Sequence, residues 1–134
     1  MTGGAAKGLL VETPVSVGTL IDRIAILELK LARMSDPAML ADVRREHALL
    51  TARRDAALPP SPALEALTRE IEAVNAALWE MERTLRTMER QGDFGAEFVA
   101  TARSVYRTND ERARIKARID ALTGSAISER KSYL

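Results

Sequence analysis

Apolar residues recur along this chain at spacings of three and four over four separate stretches, the period of an amphipathic helix rather than a strand. The first stretch follows Pro14. Val17, Leu20, Ile24, Leu27, Leu31 and Met34 form one stripe, and Ser16 stands where an N-cap hydroxyl would accept a backbone N–H. Ile26 and Leu29 fall on the opposite face. A helix apolar on two sides is buried on two sides or meets a partner chain. "SDP" at 35–37 then supplies a cap and a first-turn proline. A second helix is expected from there to about Leu58, with Leu40, Val43, His47, Leu50 and Ala57 in its stripe and Arg54 interrupting it.

The third stretch carries the strongest signal. After the break at "PPSP", residues 59–62, Leu64, Leu67, Ile71, Val74, Leu78, Met81, Leu85 and Met88 alternate spacings of three and four without a miss. That is a heptad seam sustained over more than three repeats. A helix from Pro62 to Gln91 would be roughly 45 Å long. Gly92 is placed to end it, Asp93 and Gly95 to make the turn, and Phe94 and Phe98 to plug the end of a bundle. The fourth helix is expected from about Ala96 to Leu122, with Gly124 after it and Phe98, Ala102, Val105, Ile115, Ile119 and Leu122 in its stripe.

The pattern predicts an all-α fold: an antiparallel bundle of three to four helices built on a long coiled-coil-like hairpin. Short connections make neighbours antiparallel, and the shorter first hairpin should pack on one end of the longer one. The expected organisation is a flexible or extended segment over 1–15, a helical bundle domain over 16–124 and a tail over 125–134. Ile127, Tyr133 and Leu134 are the tail's sizeable apolar anchors, and they would cross the bundle or a dimer. The remainder of the long seam would need a second copy to bury it, and a C2 homodimer is the common solution.

Composition narrows the function classes. Aromatics are 4% of the 134 residues, too few for a β-sandwich. Twenty basic and 19 acidic residues interleave to a net +1, so the electrostatic footprint of a nucleic-acid binder is missing. The densest basic spots, Arg44-Arg45 and Arg53-Arg54, have acidic neighbours and read as solvated helix face. The absence of cysteine excludes a disulfide scaffold, a thiolate metal site and a cysteine nucleophile, and fits a reducing compartment. No apolar run approaches the ~20 residues of a membrane span. The N-terminus lacks the long apolar region of a secretory signal. A cytoplasmic protein without membrane contact is expected.

One stretch breaks the pattern. In "VYRTNDERARIK", residues 105–116, the fourth helix's stripe lands on Thr108, Asn109 and Arg112. Three readings fit. "TNDE" matches a capping box, which would break the helix at Thr108. A buried asparagine in a seam fixes register at a cost in stability. Arg112 would also suit bidentate recognition of a carboxylate or phosphate. Other polar groups lie on or beside the stripes: Glu28, His47, Asn75 and Glu82. Buried polar groups need partners, so Arg112, Asn109, Asn75, Glu28 and His47 are the ligand-site candidates. A lone histidine on an apolar face is more often a satisfied core residue than a catalyst. Trp79 and Tyr106, each one position off its seam, read as flank packing or dimer contacts.

No metal or cofactor is expected. A bundle di-iron site needs Glu-x-x-His on two helices, and the position three before His47, the one histidine, is Arg44. Zinc spacing, a phosphate-cradling glycine loop and a local triad signature are likewise missing.

"PVSVGTLIDRIAILELKL", "DFGAEFVATARSVYRTNDERARIKARI" and the final "ERKSY" resemble an uncharacterised bacterial family of small all-helical proteins, a domain of unknown function. The resemblance covers most of the chain and transfers no activity. Relatives have a glutamate where this chain has Thr19, so the capping box with Ser16 is weakened. "LIDRIAILELKLARM" also resembles the first helix of the all-helical chorismate mutases, with Ile21-Asp22 matching and Ala25 where a second aspartate would fall. That resemblance would give Arg112 and Lys116 a dicarboxylate to bind. The reading the residues favour is a non-catalytic interaction or assembly module with a protein partner or a second copy. The alternative is a binder or enzyme for an anionic ligand (a carboxylate, phosphate or sugar nucleotide), with Arg112 holding the anion, Asn109 and Asn75 orienting it, and Glu28 or His47 exchanging a proton.

Overall fold

The computed structural model describes residues 8–133. Among them the fold is all-α: α1 Val17–Arg33, α2 Pro37–Ala57, α3 Pro62–Gln91 and α4 Ala96–Thr123, with no strand. Residues 9–15 lie irregular and exposed before α1. Residues 1–7 of the expected N-terminal segment, and Leu134 of the tail, fall outside the described residues.

The helix ends follow the local chemistry. Ser16 Oγ accepts the Thr19 N–H at 3.0 Å, Asp36 Oδ1 that of Ala38 at 3.0 Å, and Ser61 Oγ that of Leu64 at 3.1 Å. Each satisfies an amide that the first turn leaves without an intrahelical partner. The capping box is incomplete: Thr19 Oγ1 accepts the Ser16 hydroxyl at 2.9 Å, not the Ser16 backbone N–H that a glutamate there would take. The α3 helix ends at Gly92, whose φ of 69° puts it in the left-handed region that favours glycine.

The α3/α4 hairpin is the scaffold, α1 lies against both of its helices, and α2 packs on α1 alone. Ile21 and Ala25 of α1 meet Leu64, Leu67, Ile71, Val74 and Leu78 of α3 and Ile115 and Ile119 of α4 in one core. Ile71 and Ile119 are fully enclosed, each 0% exposed. The expected α1 stripe is not the one in this core. Ile24 and Leu27 are buried outside it, about 60° to 120° round the helix from Ile21 at 100° per residue, on the side left for α2 and its buried Val43. The α1 helix is thus buried on both its hairpin and its α2 sides, while Ile26 and Leu29 of the opposite face are half-buried. In α2 only Val43 of the expected stripe is buried; Leu40, His47 and Leu50 are half-buried, and Ala57 is exposed.

One expectation is overturned. The α4 helix runs unbroken through Thr108–Arg112, so there is no capping box there. Within that stretch Arg112 pairs with Asp22 of α1 and Asp110 with Lys131 of the tail, so both charges are met by partners outside the helix.

Candidate functional site

The polar residues of α4 form a line. Asn109, Arg112, Lys116 and Asp120 are spaced by three, four and four, so they share one face. Arg112 points from that line at Asp22 of α1. Its Nε donates to Asp22 Oδ1 at 2.9 Å, and its Nη2 donates to Oδ2. Asn75 of α3 donates from Nδ2 to the same Asp22 Oδ1 at 2.9 Å. Asp22 is 2% exposed and faces the hairpin with Ile21 and Ala25. A carboxylate this deeply buried is tolerable only when paired and hydrogen-bonded, and here three donors from two other helices converge on it. The Arg112 guanidinium is held protonated beyond its usual range, first by its hydrogen bonds to Asp22, against the opposing effect of burial, with the charges of Asp22 and Glu129 adding to it.

Asp120 does a second joining job one level along. It is 3% exposed. Its Oδ1 accepts the Gly18 N–H at 2.6 Å, and its Oδ2 accepts the Glu129 N–H at 2.6 Å. The Val17 N–H donates to Ser125 Oγ at 3.1 Å. The first amides of α1 are therefore capped by α4 and the residues just past it, with an anion at the positive end of the helix. Glycine is required at position 18, because a Cβ there would stand 2.9 Å from Asp120 Oδ1 and closer still to the Lys116 carbonyl oxygen. The α1 and α4 backbones approach that closely.

Past Gly124 the chain turns back along α4 as a strap. Lys116 Nζ lies 3.2 Å from Glu129 Oε1, and Lys131 Nζ 2.7 Å from Asp110 Oδ1. The Arg114 guanidinium sits 4.4 Å from the centroid of the Tyr133 ring, a cation–π contact. Strap and helix together border an open cleft of about 400 Å³, lined by Tyr106, Asn109, Arg112, Lys116, Glu129 and Lys131 over an apolar floor.

The five candidate residues therefore divide. Arg112 and Asn75 meet through Asp22, and Asn109 joins Arg112 at the cleft. Glu28 and His47 pair with each other, His47 Nε2 lying 3.2 Å from Glu28 Oε1, on the α1/α2 side and half-open to solvent. They do not share a hydrogen bond with the Asp22 network, so the candidates fall into two groups. Asp22 and Asp120, the two acids that organise the seam, were not among the candidates. Only Asp120 carried a signal, an acid next to Ile119 of the α4 stripe; Asp22 follows Ile21, which lies off the regular stripe of α1. Lys116 entered only through a resemblance, and Glu129 not at all.

Among the described residues, no group of three or more histidine, aspartate or glutamate side chains is arranged to hold a metal ion, and no helix is long and apolar enough to cross a membrane. The model of a family of unknown function, DUF6165, matches residues 11–134, and the chain belongs to that family. No curated protein matches it, and no solved structure does.

Proposed function

We propose, for a chain whose family carries no assigned activity, that it is a non-catalytic assembly module. In this reading the base of the bundle holds out an α3/α4 arm with a coiled-coil-like seam, and that arm packs against a second copy of the chain. One observation carries it: the α3 seam outruns α1. The last residue of α1, Arg33, pairs with Glu80, yet the heptad continues through Met81, Leu85 and Met88. Beyond Glu80, Met88 is buried against α4 at 7% exposed, but Met81 and Leu85 are only half-buried, while Phe94 is 55% and Val99 51% exposed. Phe94 stands edge-on to Phe98 at 5.2 Å between centroids, which gives the arm a defined apolar tip. A second copy of the same seam is its natural cover, since a two-fold pairing is self-complementary.

The polar seam supports the same reading from the other side. Asp22 and Asp120 tie α1 to the hairpin at fixed register, and a buried polar network is best attested as a device for register. The test is the mass of the full chain across a range of concentrations, for the wild type and for a Phe94→Lys, Val99→Lys variant. A dimer that the variant loses, with an unchanged thermal midpoint, is the expected result. A wild-type chain that stays monomeric at high micromolar concentration, or a variant that keeps the dimer mass, overturns the reading.

A further inference from the structure

We infer that the cleft between α4 and the C-terminal strap is a binding site for the oxyanion of a small organic ligand, a phosphate or a carboxylate, and that the Glu129 carboxylate sits at its anion position as an internal stand-in. The charges lining the cleft are unequal: Arg112, Lys116 and Lys131 against Glu129 alone. The acids that balance two of these cations approach from outside the cleft. Asp22 holds Arg112 from the buried side, and Asp110 pairs with Lys131. Glu129 is the one carboxylate that lines the cleft, 3.2 Å from Lys116 and close enough for its field to favour the Arg112 cation.

The cations are also pre-set for such a ligand. Asp22 engages two of the five N–H donors of Arg112, which fixes the plane of the guanidinium and leaves other donors for a second oxyanion. The Lys116 side chain is mostly buried, so little freedom remains to be lost when an anion arrives. An arginine of fixed plane beside a lysine point charge suits phosphate and carboxylate alike. At about 400 Å³ the open cleft has room for a small anion held at its charged lining with its body toward solvent. The Asn109 amide offers a donor and an acceptor to the ligand's body, and the Tyr106 ring a flat face at the rim.

Glu129 itself is removable. It lies on a segment outside any helix, it is half-buried, and its backbone is held by the hydrogen bond to Asp120 rather than by its side chain. A ligand anion would displace only the Lys116–Glu129 pair and leave Asp22 and Asp120 in place.

The experiment is calorimetric titration of the full chain with inorganic phosphate, pyrophosphate and succinate. The proteins are the wild type, Glu129→Gln and Lys116→Met, with thermal midpoints taken alongside. If the stand-in fills the site about nine-tenths of the time, its removal raises apparent affinity about tenfold. Glu129→Gln should therefore bind at least one of the anions about tenfold more tightly than the wild type, and Lys116→Met should bind none of them while remaining folded. A preference for the phosphates over succinate, or the reverse, assigns the source of the oxyanion. The inference is overturned if Glu129→Gln binds none of the three at millimolar concentration, or binds no more tightly than the wild type or Lys116→Met.

Discussion

Removing Arg112 and removing Asp22 should not cost the same, although they are partners in one pair. Asp22 is enclosed, whereas the Arg112 side chain is 28% exposed. In Arg112→Leu the carboxylate is left buried with Asn75 as its remaining donor, and breaking a buried pair in this way costs about 3–5 kcal/mol. In Asp22→Leu the guanidinium can turn toward water, so the loss should be smaller. The Asp22→Leu, Arg112→Leu double variant should be less destabilised than Arg112→Leu alone, because no uncompensated charge remains. Denaturant unfolding of the three variants measures this as a coupling energy. Additive losses would show that the pair does not act as a unit. The same reasoning explains why the polar gap in the stripe of α4 could not be resolved from its own residues: Asn109 and Arg112 look alike whether they cap, pair or bind, and the partner that decides, Asp22, lies 90 positions away.

At the scale of the element, the helices differ in what holds them. The α3 helix is specified by its own sequence, with a cap at Ser61, a seam of leucine, isoleucine and valine, and a left-handed stop at Gly92. Ser61→Ala should therefore cost about 1 kcal/mol, the usual worth of an N-cap hydroxyl, read as a shift in the denaturant midpoint with unchanged slope. A loss below a few tenths would mean that the Pro62 turn starts the helix without help. By contrast, α1 starts on borrowed partners. Its Ser16 cap is local, but the amides of Val17 and Gly18 depend on Ser125 and Asp120. The pattern showed only one of its buried faces. Leucine and isoleucine on the α2 side made the more regular stripe, while the face on the hairpin carries glycine, aspartate and alanine, which hydrophobicity alone ranks low. Small residues there permit close backbone approach, and an acid there needs the other helices to be in place.

For the whole molecule, base and arm should open separately. The base has α1 over the hairpin and a closed core around Ile71 and Ile119; the arm beyond Glu80 has two helices, with Met88 buried between them and its other side chains half-buried or exposed. Local stability follows buried apolar contact. Amide exchange on a monomeric sample should therefore be slowest around Ile71 and Ile119 and faster by at least an order of magnitude for amides of Thr84–Thr87 and Ala100–Arg103. Uniform protection along both long helices would mean that the hairpin opens only as one unit.

Helix number, order and ends were legible without coordinates, because each rests on neighbours in the chain. A 3.6-residue period, a capping hydroxyl or a stopping glycine is complete within a few positions. So was the short hairpin set on one end of a long one, since connection length alone makes neighbours antiparallel. The polar seam was half legible: Arg112 and Asn75 stood out as misfits, but their acceptor did not, and Glu28 and His47 were grouped with them although they pair elsewhere. The course of α4 through Thr108 and the use of Asp120 to tie α1 and the strap were decided only when the helices packed. A buried charge has no meaning along a chain. Its energy depends on which donors reach it from other elements, and that is a property of the assembled fold.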